Sequence, residues 1–428
     1  MINPYDRFIT RAQNSRILIG FVCVLIFLQA LNGQVDSLKL LTESTGTHSK
    51  KLEFEAFGIV NYHAFNWQLL PDKRNEIDFA QAVIGLDYQI SDRWKFTSEL
   101  EFEHGGTGVA LEFDPLEEFG EFEYEVEKGG EIWLEQFNLN YQLLKQHALT
   151  FGRVKLPFGL ANYFDEPTEF LGVSFNQLEN TLLPSNWTEF GILLNGKFHQ
   201  KLEYAIGMVN ALDGSGFNSA NFIKRGNQRR FETVKIEDLA GVLRMDYKFK
   251  KEQFVGLSFY AGNSRNNRPK PDLNVNALVS LAEFHSYFKF NSISFKTMVL
   301  FGHLQNSEQL SLANRNLSNN LNVKRTPVGK QAAGFNVEFA IKPLDWFVKN
   351  KCKDFYVFSS YDYFDSHQKT EGSIFNNPRW KRQIWTFGMN YFPTEWLVLK
   401  MQFENQRLGI SDNKYQRTFS MGFAFNFS

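Results

Sequence analysis

From Lys414 to Phe427 the chain sets Phe419, Met421, Phe423, Phe425 and Phe427 at alternate positions, with Thr418, Ser420, Gly422, Ala424 and Asn426 between them. Successive side chains of a β-strand point to opposite faces, so this segment has one apolar face and one small or polar face. A soluble sheet would need a second layer to cover so much exposed Phe. A barrel in a bilayer turns that face to lipid and the other to water, which is the dyad pattern of a transmembrane β-strand.

The other end of the chain agrees. Arg7, Arg11 and Arg16 precede an apolar run from Ile17 to Leu31, interrupted by Gly20 and Gln29 and followed by Asn32-Gly33-Gln34. This reads as an export signal over residues 1–33, and the run is shorter than the ~20 residues of a membrane-spanning helix. Cys23 lies inside it, preceded by Gly20-Phe21-Val22, which is not a lipoprotein cleavage box. The exported chain then keeps one of the two cysteines, Cys352, and cannot form an internal disulfide. Residues 34–51 are expected as a short periplasmic segment before a barrel over 52–428.

The remainder holds no second apolar stretch long enough for a helical span. Mean hydropathy is negative, −0.33, although 16% of residues are aromatic and Phe alone occurs 45 times. A polar average combined with aromatic faces fits a closed barrel, which satisfies its backbone internally and offers only alternate residues to lipid. A secreted sandwich or propeller also alternates, but would have to cover these faces.

The expected fold class is therefore all-β: a transmembrane antiparallel β-barrel of about sixteen strands with short periplasmic turns and long extracellular loops. The patterning predicts strands at 52–66, 76–90, 94–104, 131–143, 147–154, 187–199, 201–210, 237–250, 252–262, 277–290, 291–304, 331–342, 353–364, 381–392, 396–408 and 414–428. Tight turns alternate with long loops at 105–130, 155–186, 211–236, 263–276, 305–330 and 365–380. Strand 76–90 loses phase partway, which points to a β-bulge or to a protein–protein contact face. In 237–250 Leu243, Met245, Tyr247 and Phe249 alternate with Arg244, Asp246 and Lys248, whose charges belong in the lumen because Arg or Lys at the bilayer midplane costs ~2–4 kcal/mol. Trp94, Trp187, Trp385, Tyr391 and Trp396 fall near strand ends, where amphipathic rings favour the membrane interface.

The 155–186 stretch is the expected constriction loop. It follows Phe151-Gly152-Arg153-Val154-Lys155-Leu156-Pro157-Phe158-Gly159 and leads into Leu183-Pro184-Ser185-Asn186-Trp187-Thr188-Glu189-Phe190-Gly191, with Gly207-Met208-Val209-Asn210 further on. At these residues the chain resembles the phosphate-selective porin O and P family. The resemblance implies an outer-membrane porin, a homotrimer of sixteen-stranded subunits in which basic residues guide solute to a constriction. The closing strand likewise resembles that of bacterial porins, although Ser428 follows the final aromatic.

Anion selection needs several cations converging on a narrow passage. Arg153 and Lys155 at the loop root, with Arg244, Lys248, Lys296 and Lys400 at lumen positions, are the anion-attracting candidates. Against them the loop carries Asp165, Glu166, Glu169 and Glu179, which repel phosphate. Outside the barrel, 112–127 is acidic, and the alternation of Glu121, Glu123 and Glu125 with Phe122, Tyr124 and Val126 fits a strand extension above the membrane, while 222–230 and 265–270 are basic through Lys224, Arg225, Arg229, Arg230, Arg265, Arg268 and Lys270. These loops read as an electrostatic vestibule or as a solvated, lipid-bridging surface.

No Cys/His cluster has zinc spacing and no EF-hand glycine pattern is present, so no metal or cofactor is expected. The eight histidines stand in no nucleophile motif; His104, His199, His285 and His303 read as solvated rim residues, and no catalytic residue or enzymatic activity is expected. The predicted function is passive diffusion of small hydrophilic solutes or inorganic anions such as phosphate across the bacterial outer membrane. The expected partners are membrane lipid and solute, with no nucleic acid. The alternative is a barrel anchor whose long loops bind a partner.

Overall fold

The computed structural model describes residues 52–113, 124–228, 233–317, 325–346, 354–410 and 414–427. The expected export signal and the 34–51 segment lie outside the described residues, as do Arg229, Arg230 and the side chains of the acidic 112–127 segment.

Strands β1 (Leu52–Trp67), β2 (Glu76–Gln89), β3 (Trp94–Phe113), β4 (Tyr124–Leu144) and β5 (His147–Lys155) pair in chain order. They continue through β6 (Thr188–Phe198), β7 (Leu202–Asn210), β8 (Leu239–Lys250), β9 (Gln253–Asn263) and β10 (Leu278–Phe290). The circuit ends with β11 (Ile293–Leu304), β12 (Gln331–Ile341), β13 (Asp354–Lys369), β14 (Lys381–Thr394), β15 (Leu397–Leu408) and β16 (Tyr415–Phe427). β16 then pairs with β1 from Ala56↔Phe427 to Trp67↔Gln416, closing an antiparallel barrel. Closure leaves no edge strand and gives every ladder a partner, as a sheet in lipid requires.

Alternation governs the wall. Phe423 is 43% exposed beside Leu399 of β15, 47% exposed, while Ser420 and Ala424 are buried on the inner side. Phe259, Phe284, Phe301, Phe339, Phe387 and Phe403 repeat the exposed position around the barrel. The expected bulge in β2 is present: the register passes from Ile59↔Gln81 to Asn61↔Asp78, and the exposed set changes from Ile77 and Phe79 to Ile84 and Tyr88.

Three expectations are corrected. The 105–130 loop is largely strand, because β3 and β4 keep pairing as far as Phe113↔Tyr124 after register shifts at Glu103/Gly108 and Gly108/Ala110. Positive φ at His104, Gly105 and Gly106 supplies the kink. Trp187 is no rim anchor: it is 1% exposed and its ring lies 4.9 Å from Tyr260 and 5.7 Å from Phe158. His285 is no rim residue either, because it sits within β10, wholly buried in an ion network.

The barrel interior carries an apolar core. Leu156, Phe158, Leu160, Leu178, Leu182 and Leu183 from the β5–β6 loop pack with Leu212, Phe217, Phe222 and Ile223 from the β7–β8 loop. Wall residues Val209, Val242, Leu281, Met298, Leu300 and Phe364 join them, as does Leu310 from a helix (α2, Ser307–Arg315) in the β11–β12 loop. Each such Leu or Phe contributes about 1.5–3 kcal/mol, so these loops are held inside rather than resting at the mouth. Wall glycines admit them: a Cβ on Gly334 would stand 2.5 Å from Leu178, and one on Gly302 2.6 Å from Phe222.

Candidate functional site: the loop inside the barrel

The loop begins where β5 stops. Gly152 takes φ +124°, and a Cβ there would lie 2.4 Å from the Phe137 carbonyl, so only glycine lets β5 run so close to β4. The two strands part after Phe137↔Arg153. A neck is then tied by Leu156 N–H to the Trp187 carbonyl (2.8 Å) and by Asn162, whose side chain donates to the carbonyls of Leu156 (3.1 Å) and Trp187 (2.9 Å).

Within the loop, Glu179 is a brace. It opens a short helix (α1, Gln177–Leu182) capped by Asn176, and Oε1 accepts the backbone N–H groups of Leu160 (2.8 Å) and Ala161 (2.9 Å). Burial pushes its carboxyl above the ordinary range, and the donors from Ala161, Asn176 and Leu160 oppose that rise. Gly159 holds φ +76° beside it. Glu179 therefore faces the loop's own backbone, whereas Asp165 and Glu166 reach the wall.

Five of the six sequence-predicted cations meet this loop. Lys155 pairs with Asp165 and lies 3.5 Å from both Glu99 and Glu135. Arg244 donates to the Gly159 carbonyl (2.5 Å) and pairs with Asp246 (2.9 Å). Lys248 donates to the Tyr163 hydroxyl (3.0 Å) and pairs with Glu203 (2.8 Å). Lys296 stands 4.8 Å over the Phe164 ring and 3.4 Å from Glu338. Lys400 donates to the carbonyls of Phe170 and Gly172. Arg153 is set apart: its strand partners Phe137 and Phe190 are exposed on the outer face, and its guanidinium stacks on Phe190 and reaches Thr188.

Behind Arg244, His285 places Nδ1 2.9 Å from Glu283 and Nε2 2.7 Å from Asp246. Nε2 also lies 3.0 Å from the Arg244 guanidinium, so the ring touches both carboxylates and the arginine. Arg244 and His285 thus form one buried network with Asp246 and Glu283 under the loop.

Carboxylates exceed cations around 165–169. Glu166 accepts from Asn426 and faces Glu55 on β1, a contact that two carboxyl groups make only by sharing a proton. Burial, then the Glu169 and Asp165 carboxylates, raise Glu166; burial and Asp165 push Glu169 up to about 7, with Lys296 opposing. The sequence reading missed Glu55, Glu99, Glu135, Asn61, Asn390 and Gln402. Their signal was available in the period-2 alternation, as in Glu99, Glu101 and Glu103 along one face of β3. Among the described residues no His, Cys, Asp and Glu are grouped to hold a metal ion.

Of the expected basic vestibule, Lys224 donates to Asn180 of the loop (3.3 Å), and Arg268 is buried against Asp272 (3.0 Å) and Asn314.

A closed sixteen-stranded antiparallel barrel with a lipid-facing aromatic exterior and a loop folded across its interior defines an outer-membrane porin, a non-enzymatic channel that passes small solutes. Residues 62–281 match the family model described as phosphate-selective porin O and P, and the chain belongs to that family. It is 25% identical over 337 residues to an uncharacterized protein of Aquifex aeolicus (strain VF5), covering 78% of this chain and 71% of that one. In structure it is similar to the anion-selective porin from Comamonas acidovorans, with TM-score 0.53 and 9% identity over 88% of this chain and 99% of that one. It is also similar to Salmonella typhi OmpF in complex with daunomycin, with TM-score 0.52 and 12% identity over 88% and 97%. At such identities these two likenesses are of fold alone.

Proposed function

We propose that this chain is a passive channel for small hydrophilic solutes, exported by a cleaved signal over residues 1–33, assembled as a homotrimer and constricted by the 155–186 loop. The observation that carries the reading is the loop's attachment: side chains from β5, β8, β11 and β15 hold it across the interior. Solutes move down their gradient past it, and their selection follows aperture and field.

The field at the constriction comes from Glu55, Glu99, Glu135, Asp165, Glu166 and Glu169, against Lys155 and Lys296. Once these carboxyl groups are ionised they outnumber the two lysines and favour cations, so the preference grows with pH. Lys155, Arg244, Lys248, Lys296 and Lys400 act here by positioning the loop. The second reading, passage of anions such as phosphate, is supported by the family description and by Lys224, Arg225, Arg265 and Arg268 in the loops before β8 and β10.

Planar-bilayer recording of the purified protein under a salt gradient, with phosphate titrated as a blocker, tests both. Triplet steps with cation-biased reversal and no phosphate block are expected. Anion-biased reversal with block would establish the second reading. Silence from folded protein would instead favour a barrel anchor whose loops bind a partner.

A further inference from the structure

The wall formed by β14, β15, β16 and β1 carries a single row of inward positions: Asn390 pairs with Lys400, Lys400 with Gly422, and Gly422 with Asn61. Gly422 leaves room in the middle, since a Cβ there would stand 2.3 Å from Asn61 Oδ1. The loop tip Phe170–Val173 docks on this row through its backbone. Lys400 donates to the carbonyls of Phe170 (2.5 Å) and Gly172 (2.8 Å), Asn390 to that of Leu171 (2.9 Å) and Asn61 to that of Val173 (3.3 Å). Gln402, one pleat along β15, accepts the Val173 N–H at 2.8 Å. Four consecutive carbonyls are therefore taken by wall donors, a contact that reads main chain and not side-chain identity. At Gly172 a Cβ would lie 2.4 Å from the Ser174 carbonyl, so the tip's turn excludes a side chain there.

Lys400 is the longest side chain of the row and makes two of its contacts. It is 3% exposed, its Nζ sits 4.0 Å over the Phe170 ring, and among the described residues no carboxylate lies within salt-bridge distance. A buried amino group must be hydrogen-bonded, and here its bonding partners are loop carbonyls. Departure of the loop would give up both carbonyl contacts and the Phe170 ring contact, so the lysine side chain holds the tip in place.

We propose that Lys400, set in the row Asn390–Lys400–Gly422–Asn61, is the latch that holds the loop tip against the wall and so fixes the aperture of the channel. This rests on the channel reading above and names the positioning residue on which the aperture depends. The test compares unitary conductance of the unmodified protein, Lys400→Met and Lys400→Arg in planar bilayers. Proteolysis within 155–186 is followed in parallel, and heat-modifiable migration confirms a closed barrel in each.

Lys400→Met is expected to show a higher, noisier open level and a cleavable loop, while Lys400→Arg, which keeps the donors, behaves as the unmodified protein. A folded Lys400→Met with unchanged conductance and a protected loop would overturn the latch. Should that variant not assemble, Asn390→Ala carries the same comparison, with the same two results deciding. Silence of the unmodified protein would count against the channel reading alone, because proteolysis reports loop release without conduction.

Discussion

Arg244 and Gly159, 85 positions apart in the chain, are joined by a hydrogen bond of 2.5 Å from a strand guanidinium to a loop carbonyl. The same cation pairs with Asp246, which in turn holds His285. One lumen arginine thus fastens the loop and balances a buried ion network.

Replacing Arg244 with Met removes the clamp and leaves Asp246 and Glu283 with His285 alone. Breaking a buried pair from one side costs about 3–5 kcal/mol. A clear fall in the thermal unfolding midpoint is expected, together with added open-channel noise. A variant as stable as the unmodified barrel would show the network to be solvated and the clamp dispensable.

Glu179→Ala would strand the buried N–H of Leu160 and the part-buried N–H of Ala161. Each unsatisfied donor costs about 1–3 kcal/mol, and the loss falls on the loop, since Glu179 touches no wall strand in these bonds. Faster proteolysis inside 155–186 with little change in barrel melting is the expected outcome. A protected loop would assign the brace to the apolar contacts of Leu160, Leu178 and Leu182.

Glu169 titrates at about 7, and Glu166 is raised as well. Glu169 gains negative charge as pH climbs from about 6 to about 8, so cation preference should strengthen over that interval. For stability the sign is opposite: the folded form binds the Glu169 proton more tightly than an ordinary carboxyl of 4.5. The contribution is therefore fully present below 4.5 and is lost as pH rises through about 7. Reversal potentials of the unmodified protein and Glu169→Gln at both pH values check this; an equally steep dependence in the variant would place the titrating group elsewhere.

Phe423 stands on the outer face between Val60 and Leu399. Lys at that position would meet lipid, at a cost of ~2–4 kcal/mol near the midplane. Refolding into vesicles should yield less heat-modifiable barrel for Phe423→Lys than for Phe423→Leu. Equal yields would put this wall against another protein surface instead of lipid.

Much of the architecture was readable from alternation. β16 and β8 declare their two faces residue by residue, and the phase slip in 76–90 located the bulge at Asn61↔Asp78. Where the reading failed, local pattern and tertiary context diverged. Trp187 looks like a rim aromatic from its place beside a turn, yet it lies in the core because the loop root folds inward onto Tyr260. His285 looks like any strand histidine until Asp246, from a strand 39 residues earlier, arrives at its Nε2.

The candidate site was legible as residue types but not as partnerships. Lys155, Arg244, Lys248, Lys296 and Lys400 could be placed in the lumen by parity and charge. Whether each faces solute or loop could not, since that depends on where residues 156–187 run once they leave β5. Arg153, two positions before Lys155, was grouped with it for the same reason. The separation of β5 from β4 then placed Lys155 against Asp165 and left Arg153 beside Phe190.

By itself, then, the sequence determined that this chain forms a closed barrel with a lipid face and a polar face, because the period-2 pattern acts strand by strand and needs no distant partner. Only the tertiary structure decided what the inner face does. The charges that parity sends inward are claimed by backbone carbonyls and carboxylates of a loop distant in sequence, and such pairings depend on closure of the ring, which no local pattern records.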